Sequence, residues 1–137
     1  MSGVNVKTIE ETAKCLDAIN IMKMNGFDQL PVVINNGNNQ KQLIGMVTVG
    51  DIMLKLSAGT IKSLDCPITN VVQRQFPIMQ SNESIGRLIH LLRRNPYVAI
   101  VVVSESTQQQ QPIRQMIEAI ITHIDILNYL AKFDQSD

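Results

Sequence analysis

The sequence predicts an α/β (α+β) fold built from two copies of one small βαββα-like unit. The first observation is an internal repeat: an apolar run at residues 26–34, a polar loop and a second apolar run at 43–52 recur at 95–103 and 116–126. The second observation is that these runs are rich in β-branched residues, as strands are, and that helical patterns precede and follow them. Each copy therefore predicts helix, strand, strand and helix, with one more short strand in front.

The helix that opens each copy is predicted from apolar residues that recur every three or four positions. In the first copy Leu16, Ile19 and Met22 lie on one face, and Gly26 stands where a left-handed residue would end the helix. The equivalent stripe in the second copy consists of Ile85, Leu88, Ile89 and Leu92. Ser81 or Asn82 is the candidate N-cap of this helix. Both stripes predict that one helix face packs against the strands.

The remaining short elements complete the two motifs. Residues 4–9 and 76–80 predict the extra strands, and Pro67 predicts the start of a short helix between the copies. We therefore divide the chain into three parts: motif 1 at 1–60, an inter-motif linker with a short helix at 61–75, and motif 2 at 76–137.

Composition restricts the class of protein. The 137 residues are 45% hydrophobic, so the chain holds enough apolar material for a folded core. Twelve basic residues balance twelve acidic ones without a basic cluster, which argues against a nucleic-acid partner. No apolar run approaches the roughly 20 residues that span a bilayer, and no leader pattern stands at the start. We therefore expect a cytoplasmic protein without a membrane partner.

Metal and catalytic chemistry are both weakly represented. Cys15 and Cys66 stand far apart in the sequence and outside any metal-ligand spacing, so we expect buried or idle thiols and no metal site. His90 and His123 have no serine or cysteine partner at a suggestive spacing, and a nucleophile needs an adjacent base. An independent enzyme is therefore not expected.

A threonine and an aspartate three positions apart stand where a predicted strand turns into a helix in each copy. They are Thr48 and Asp51 in the first copy, and Thr122 and Asp125 in the second. Exposed N–H groups at a helix start favour oxygen-rich ligands, and a carboxylate accepts hydrogen bonds from adjacent hydroxyls such as those of ribose. The alternative is that each pair only caps its helix. The repetition favours a ribose site.

An aromatic residue precedes the first long strand of each copy. These residues are Phe27 and Tyr97, which the repeat matches to each other. A ring at this place can cover an adenine or attract a cationic group. The alternative for both residues is ordinary core packing.

The doubled pattern of strand, Thr-x-x-Asp and helix resembles the CBS domain, and the whole chain resembles a Bateman module, a pseudo-symmetric pair of such domains. Four stretches resemble more narrowly the C-terminal regulatory region of the cystathionine β-synthase family: residues 26–33, 45–50, 86–88 and 114–116. The resemblance implies a non-catalytic fragment of an enzyme that condenses serine with homocysteine. Its pyridoxal phosphate (PLP) belongs to a catalytic core absent from this chain, so no cofactor is expected here.

The resemblance also implies an allosteric ligand, S-adenosylmethionine (SAM), and two clefts. Its main cleft would be lined by seven residues: Phe27, Asp28, Gln29, Leu30, Thr122, Ile124 and Asp125. Its second cleft, which bulky side chains fill in some members, would be lined by five: Thr48, Asp51, Tyr97, Val98 and Ala99. In this pattern Phe27 and Asp28 would face the cationic groups of SAM, and Asp125 would bind the ribose.

The resemblance further implies the chain's own catalytic core and a second copy, in a homodimer, as partners. Apolar residues of the closing helices predict the dimer seam: Ile52, Leu54 and Leu56, then Ile126, Leu127 and Leu130. Leu30 and His123 depart from the family pattern and add bulk near the main cleft, which favours the alternative of a ligand-independent autoinhibitory or oligomerisation module. A sensor of AMP or ATP is a further alternative, but no Lys or Arg adjoins either Thr-Asp pair to meet phosphates.

Overall fold

Two units with the same order of elements make up the chain. The structure, a computed structural model, describes residues 6–35, 41–104 and 114–134. One unit runs from Lys7 to Gln75, and the other comprises Phe76 onward together with Val6. The first unit thus includes residues 61–75, the stretch that the sequence predicts as a linker.

In the first unit, β2 is the central strand. The elements in chain order are β1 (Ile9–Glu10), α1 (Cys15–Asn25), β2 (Gln29–Asn35), β3 (Lys41–Thr48), α2 (Val49–Ser57) and a 3₁₀ turn (Ile68–Asn70). β2 runs parallel to β1 and antiparallel to β3. Of the strand predicted at residues 4–9, only Ile9 lies in a strand, because residues 6–8 are irregular and β1 begins at Ile9; residues 4 and 5 lie outside the described part.

The second unit repeats this arrangement around β5. Its elements are β4 (Ile78–Gln80), α3 (Ile85–Leu92), β5 (Tyr97–Ser104), β6 (Arg114–Thr122) and α4 (His123–Asp134). β5 runs parallel to β4 and antiparallel to β6. A shift in pairing register follows Val32 in the first hairpin and Ile100 in the second. The predicted α/β fold of repeated βαββα-like units is therefore confirmed, down to a shared irregularity.

The strand register also shows which residues of the two units are equivalent. Gln29 pairs with Thr48 in the first unit, and Tyr97 pairs with Thr122 in the second. Tyr97 is therefore the counterpart of Gln29, and the sequence-based match of Tyr97 with Phe27 is wrong. The two aromatic residues are alike in type, but equivalent positions of two hairpins are those with equivalent cross-strand partners, and a similar side chain does not identify them.

Helix α1 ends where the sequence predicts, and its buried face differs from the predicted one at a single position. Gly26 has a φ of 72°, the left-handed cap expected of it. The buried residues are Cys15, Ala18 and Met22, whereas the side chain of Leu16 is 44% exposed. Of the predicted stripe, Met22 is buried and Ile19 packs against the first core, so only the placement of Leu16 is wrong.

Helix α3 begins later than predicted. The hydroxyl of Ser84 accepts a hydrogen bond from the backbone N–H of Arg87 at 3.2 Å, and the first helical residue is Ile85. Ser81 and Asn82, the predicted caps, lie in the exposed turn before it. The prediction of the cap is wrong because three residues in this turn can serve as N-caps and the sequence does not rank them.

Each unit has an apolar core of its own. The first core includes Met22, Leu30, Val47, Ile52 and Ile68. The second consists of Met79, Leu92, Val98, Ile100 and Ile121. Within the described ranges no helix is long and apolar enough to cross a membrane.

Candidate functional site

Both Thr-Asp pairs stand at the junction of a strand and a helix, as predicted. Thr48 is the last residue of β3 and the N-cap of α2, with Asp51 in the first helical turn. Thr122 is the last residue of β6, and Asp125 lies in the first turn of α4. The hydrogen bonds within the two pairs nevertheless differ.

In the first unit the threonine caps the helix and the aspartate contacts a side chain from another segment. Thr48 Oγ1 accepts a hydrogen bond from the backbone N–H of Asp51 at 3.0 Å. The side-chain amide of Gln73 donates to Asp51 Oδ1 at 2.9 Å. Asp51 Oδ2 is buried and has no hydrogen-bond partner among the described residues. One oxygen of this carboxylate is thus already engaged.

Gln73 reaches Asp51 because its segment pairs with β3. The backbone N–H and carbonyl of Gln73 both bond to Met46, at 2.8 and 2.9 Å. Gly45 makes this approach possible, because a Cβ at that position would lie 2.7 Å from the carbonyl oxygen of Gln73 and clash with Val72. Gln73 was not among the predicted site residues, since it stands 22 positions from Asp51 and no motif contains it.

In the second unit the aspartate is bound by its own threonine. Asp125 Oδ2 accepts hydrogen bonds from the backbone N–H of Thr122 at 2.9 Å and from the hydroxyl of Thr122 at 3.0 Å. The Asp125 side chain is exposed. Hydrogen bonds to Oδ2 therefore fix the orientation of this carboxylate while the side chain faces solvent. This arrangement suits a ligand with paired hydroxyl donors.

The segment from Phe27 to Leu30 lies at the turn between α1 and β2. Phe27 is half-buried against the first core, and Leu30 is fully buried within it. Asp28 has an exposed side chain, and its carbonyl accepts a hydrogen bond from the backbone N–H of Val49 at 3.0 Å. Of this segment, Asp28 is the residue that presents an exposed charged side chain.

The candidates of the second unit divide into buried and exposed residues. Tyr97, Val98 and Ala99 at the start of β5 are all buried, and Val98 belongs to the second core. Ile124, next to Asp125 in the first turn of α4, is 60% exposed. The grouping of either set with residues of the first unit into a cleft stays a prediction.

His123, which departs from the family pattern, is held inside its own unit. Its Nε2 lies within hydrogen-bond distance of the carbonyl oxygens of Leu92 and Asn95, the latter at 3.1 Å. Leu92 is the last residue of α3, where backbone acceptors lack intrahelical donors, and Asn95 follows it by three positions. The imidazole thus serves as a cap for α3.

The fold and the duplicated Thr-Asp junction are similar to those of CBS-domain proteins, and the comparisons point to the same likeness. Residues 1–58 match the family model of the CBS domain. The chain as a whole is similar to cystathionine beta-synthase of Oryctolagus cuniculus, with 29% identity over 130 residues that cover 93% of this chain and 23% of the rabbit protein. It therefore spans about a quarter of the curated relatives it matches.

Solved structures show the same fold. A putative signal-transduction protein with CBS domains from Burkholderia ambifaria has a TM-score of 0.72, with 18% identity over 99% of this chain and 89% of that chain. CbpB in complex with c-di-AMP has a TM-score of 0.63, with 18% identity over 93% of this chain and 77% of that chain. The predicted resemblance and fold class are thus confirmed.

Proposed function

We propose that this chain is a regulatory CBS module of a cystathionine β-synthase, which binds SAM at Asp125 and thereby controls a PLP-dependent catalytic core. The observation that carries the proposal is the exposed carboxylate of Asp125, oriented by Thr122 at the start of α4. Both hydroxyls of a ribose can donate to a carboxylate, and hydrogen bonds to a charged acceptor are stronger than neutral ones. The similarity to cystathionine beta-synthase over 93% of the chain supports the identity of the core.

The acidic and aromatic residues proposed for the site favour a cationic ligand, SAM, over nucleotides. SAM carries a sulfonium and an ammonium group, for which the exposed carboxylate of Asp28 and the ring of Phe27 are suitable neighbours. AMP, ATP or c-di-AMP would instead need cations for phosphate. The first turns of α2 and α4 carry an aspartate each, and the basic residues of these helices, Lys55 and Lys132, stand in their last turns.

A second candidate function is a module that inhibits or assembles without a ligand. Two observations favour it: Leu30 is fully buried in the first core, and Gln73 already donates to Asp51. Leu30 therefore presents no surface to a ligand, and one oxygen of Asp51 is already occupied.

Isothermal titration calorimetry with the purified chain separates these functions. We expect saturable heat with SAM and no binding of AMP, ATP or c-di-AMP at the same concentrations. Saturable binding of a nucleotide instead would show that the ligand is not SAM. If a folded chain gave no heat with any of the four compounds, the ligand-independent module would remain as the function.

We expect Asp125→Asn to raise the Kd for SAM about 10- to 100-fold, because the hydrogen bonds from the ribose then lose a charged acceptor. The variant keeps an oxygen that can accept from Thr122, so the start of α4 should stay folded. Asp51→Asn is the matched control in the other unit, with an expected change in Kd of less than about threefold. Equal losses in both variants, or unchanged affinity in Asp125→Asn, would remove the assigned site.

We also propose a homodimer formed through the closing helices. Leu54 and Leu56 on α2, and Leu127 and Leu130 on α4, have exposed apolar side chains, whereas Ile52, predicted in the same seam, is buried in the first core. Exposed apolar side chains of this kind are typical of an interface.

We expect the purified chain to sediment as a dimer and Leu127→Glu to sediment as a monomer, because a charge would be desolvated in the seam. Analytical ultracentrifugation across a concentration series measures both. Met24→Glu is the control, since Met24 is an apolar residue on α1 that is 85% exposed and outside the seam. A dimer that tolerates Leu127→Glu as well as Met24→Glu would place the interface elsewhere.

A further inference from the structure

The two cysteines, which the sequence separates by 51 positions, meet in the first unit. Cys15 is the first residue of α1, and Cys66 lies just before the 3₁₀ turn. Their Sγ atoms are 2.9 Å apart, and both residues are free thiols. The site described above uses neither of them.

The backbone holds the two cysteines opposite each other. The N–H of Cys15 donates to the carbonyl of Cys66 at 3.0 Å, and the N–H of Ile68 donates to the carbonyl of Ala13 at 2.9 Å. Lys14 and Pro67 form an antiparallel bridge between these bonds. Opposite residues of antiparallel segments have Cα atoms about 4.5–5.5 Å apart, within the range that a disulfide spans. A bond between the two sulfurs therefore needs little backbone movement.

An ion pair reinforces the same contact. Lys14 Nζ lies 3.0 Å from Asp65 Oδ1, and each residue is the direct chain neighbour of one cysteine. The N–H of Leu16 also donates to the carbonyl of Leu64 at 2.9 Å. The segments on both sides of the cysteines are thus bonded to each other, so the proximity of the thiols does not depend on the two side chains alone.

The two thiols differ in accessibility. Cys15 is fully buried, whereas Cys66 is half-buried and reaches the surface of the first core. Burial, then the hydrogen bond and the charge of Cys66, raise the pKa of Cys15 to about 12. Since the thiolate is the nucleophile in disulfide exchange, Cys66 is the residue that meets an oxidant first.

We propose that Cys15 and Cys66 are a reversible redox modification site, oxidised to an intramolecular disulfide by a small-molecule disulfide such as oxidised glutathione. The Cys66 thiolate attacks one sulfur of the small disulfide, which forms a mixed disulfide and releases one small thiolate. Cys15 then loses its proton, and its thiolate attacks Cys66 Sγ and releases the second. The two cysteines lose two electrons and two protons, and the small disulfide becomes two thiols.

The crosslink would join the start of α1 to the segment that leads to Gln73. It closes a loop of 51 positions, and a crosslink of that length stabilises a fold chiefly by restricting the unfolded chain. We expect oxidation to raise the melting temperature by roughly 10 °C. Reduction would return the unit to its lower melting temperature, so the stability of the segment around Gln73 would follow the thiol–disulfide balance.

Incubation of the full chain with oxidised glutathione tests the proposal. We expect intact mass spectrometry to show a loss of about 2 Da, the two thiol hydrogens. A non-reduced peptide map should show a Cys15–Cys66 crosslink that dithiothreitol removes. Cys15→Ala should stop at a glutathione adduct on Cys66, and Cys66→Ala should leave the buried Cys15 unmodified. A wild-type chain that stops at the adduct, or crosslinks only between chains through Cys66, would overturn the proposal.

Discussion

Replacement of Leu30 by alanine is expected to lower the free energy of unfolding by about 2–5 kcal/mol, among the largest effects of any single substitution in this chain. Leu30 has no exposed surface, packs in the first core and lies opposite Val47 on β3. Truncation to alanine removes buried methyl groups and leaves a cavity that the paired strands cannot collapse. Urea unfolding followed by circular dichroism measures the loss.

The matched control for this variant is Leu16→Ala. Leu16 belongs to the same unit and is 44% exposed, so we expect a loss of less than about 1 kcal/mol. Similar losses at both positions would contradict the placement of Leu30 in the core. Calorimetry on Leu30→Ala tests the sequence-based hypothesis that the bulk of Leu30 obstructs SAM. That hypothesis requires the folded variant to bind SAM more tightly than the wild type.

Gly45→Ala is expected to destabilise the protein by about 1–3 kcal/mol, the cost of added volume in a packed site. The new Cβ would lie 2.7 Å from the carbonyl oxygen of Gln73, a backbone atom that cannot rotate away. The segment would have to leave β3, which breaks both Gln73–Met46 backbone bonds and withdraws the amide from Asp51. Thermal and urea unfolding measure the loss.

Gly50→Ala is the control for a glycine in the same unit. Gly50 lies in α2, and a Cβ there would meet only Thr48 Oγ1 at 3.9 Å. Alanine is the better helix former, so this variant should be more stable than the wild type by up to about 1 kcal/mol. If Gly45→Ala were as stable as the wild type, the approach of Gln73 to β3 would not depend on the absence of a side chain at position 45.

The sequence predicted most of the architecture because the repeat and the strand composition are local signals. Thr48 and Thr122 end their strands, and the following helices begin at the next residue, as the pattern indicated. Gly26 ends α1 because only a left-handed residue continues the chain there. The cleft residues taken from the family resemblance stay a prediction.

Apart from the N-cap of α3, what the sequence did not supply depends on long-range geometry. The counterpart of Tyr97 is set by its pairing with Thr122, and a comparison of residue types does not contain that information. The hydrogen bond from Gln73 to Asp51 and the contact of Cys15 with Cys66 join positions 22 and 51 residues apart. Such contacts exist only after the segment from 61 to 75 has folded back on its unit.

The side-chain amide of Gln73, which donates to Asp51, competes with any ligand for the carboxylate of the first Thr-Asp pair. A diol that approaches Asp51 competes with the Gln73 amide for Oδ1, and it binds more readily to molecules in which the Gln73–Asp51 hydrogen bond is broken. A hydrogen bond to a carboxylate is worth about 1.5–3 kcal/mol, so the released fraction is about one in ten to one in a hundred, and the apparent affinity falls by the same factor. At Asp125 the described donors come from Thr122 alone. Two copies of one motif would therefore fill at different concentrations, and the first would respond only when ligand is abundant.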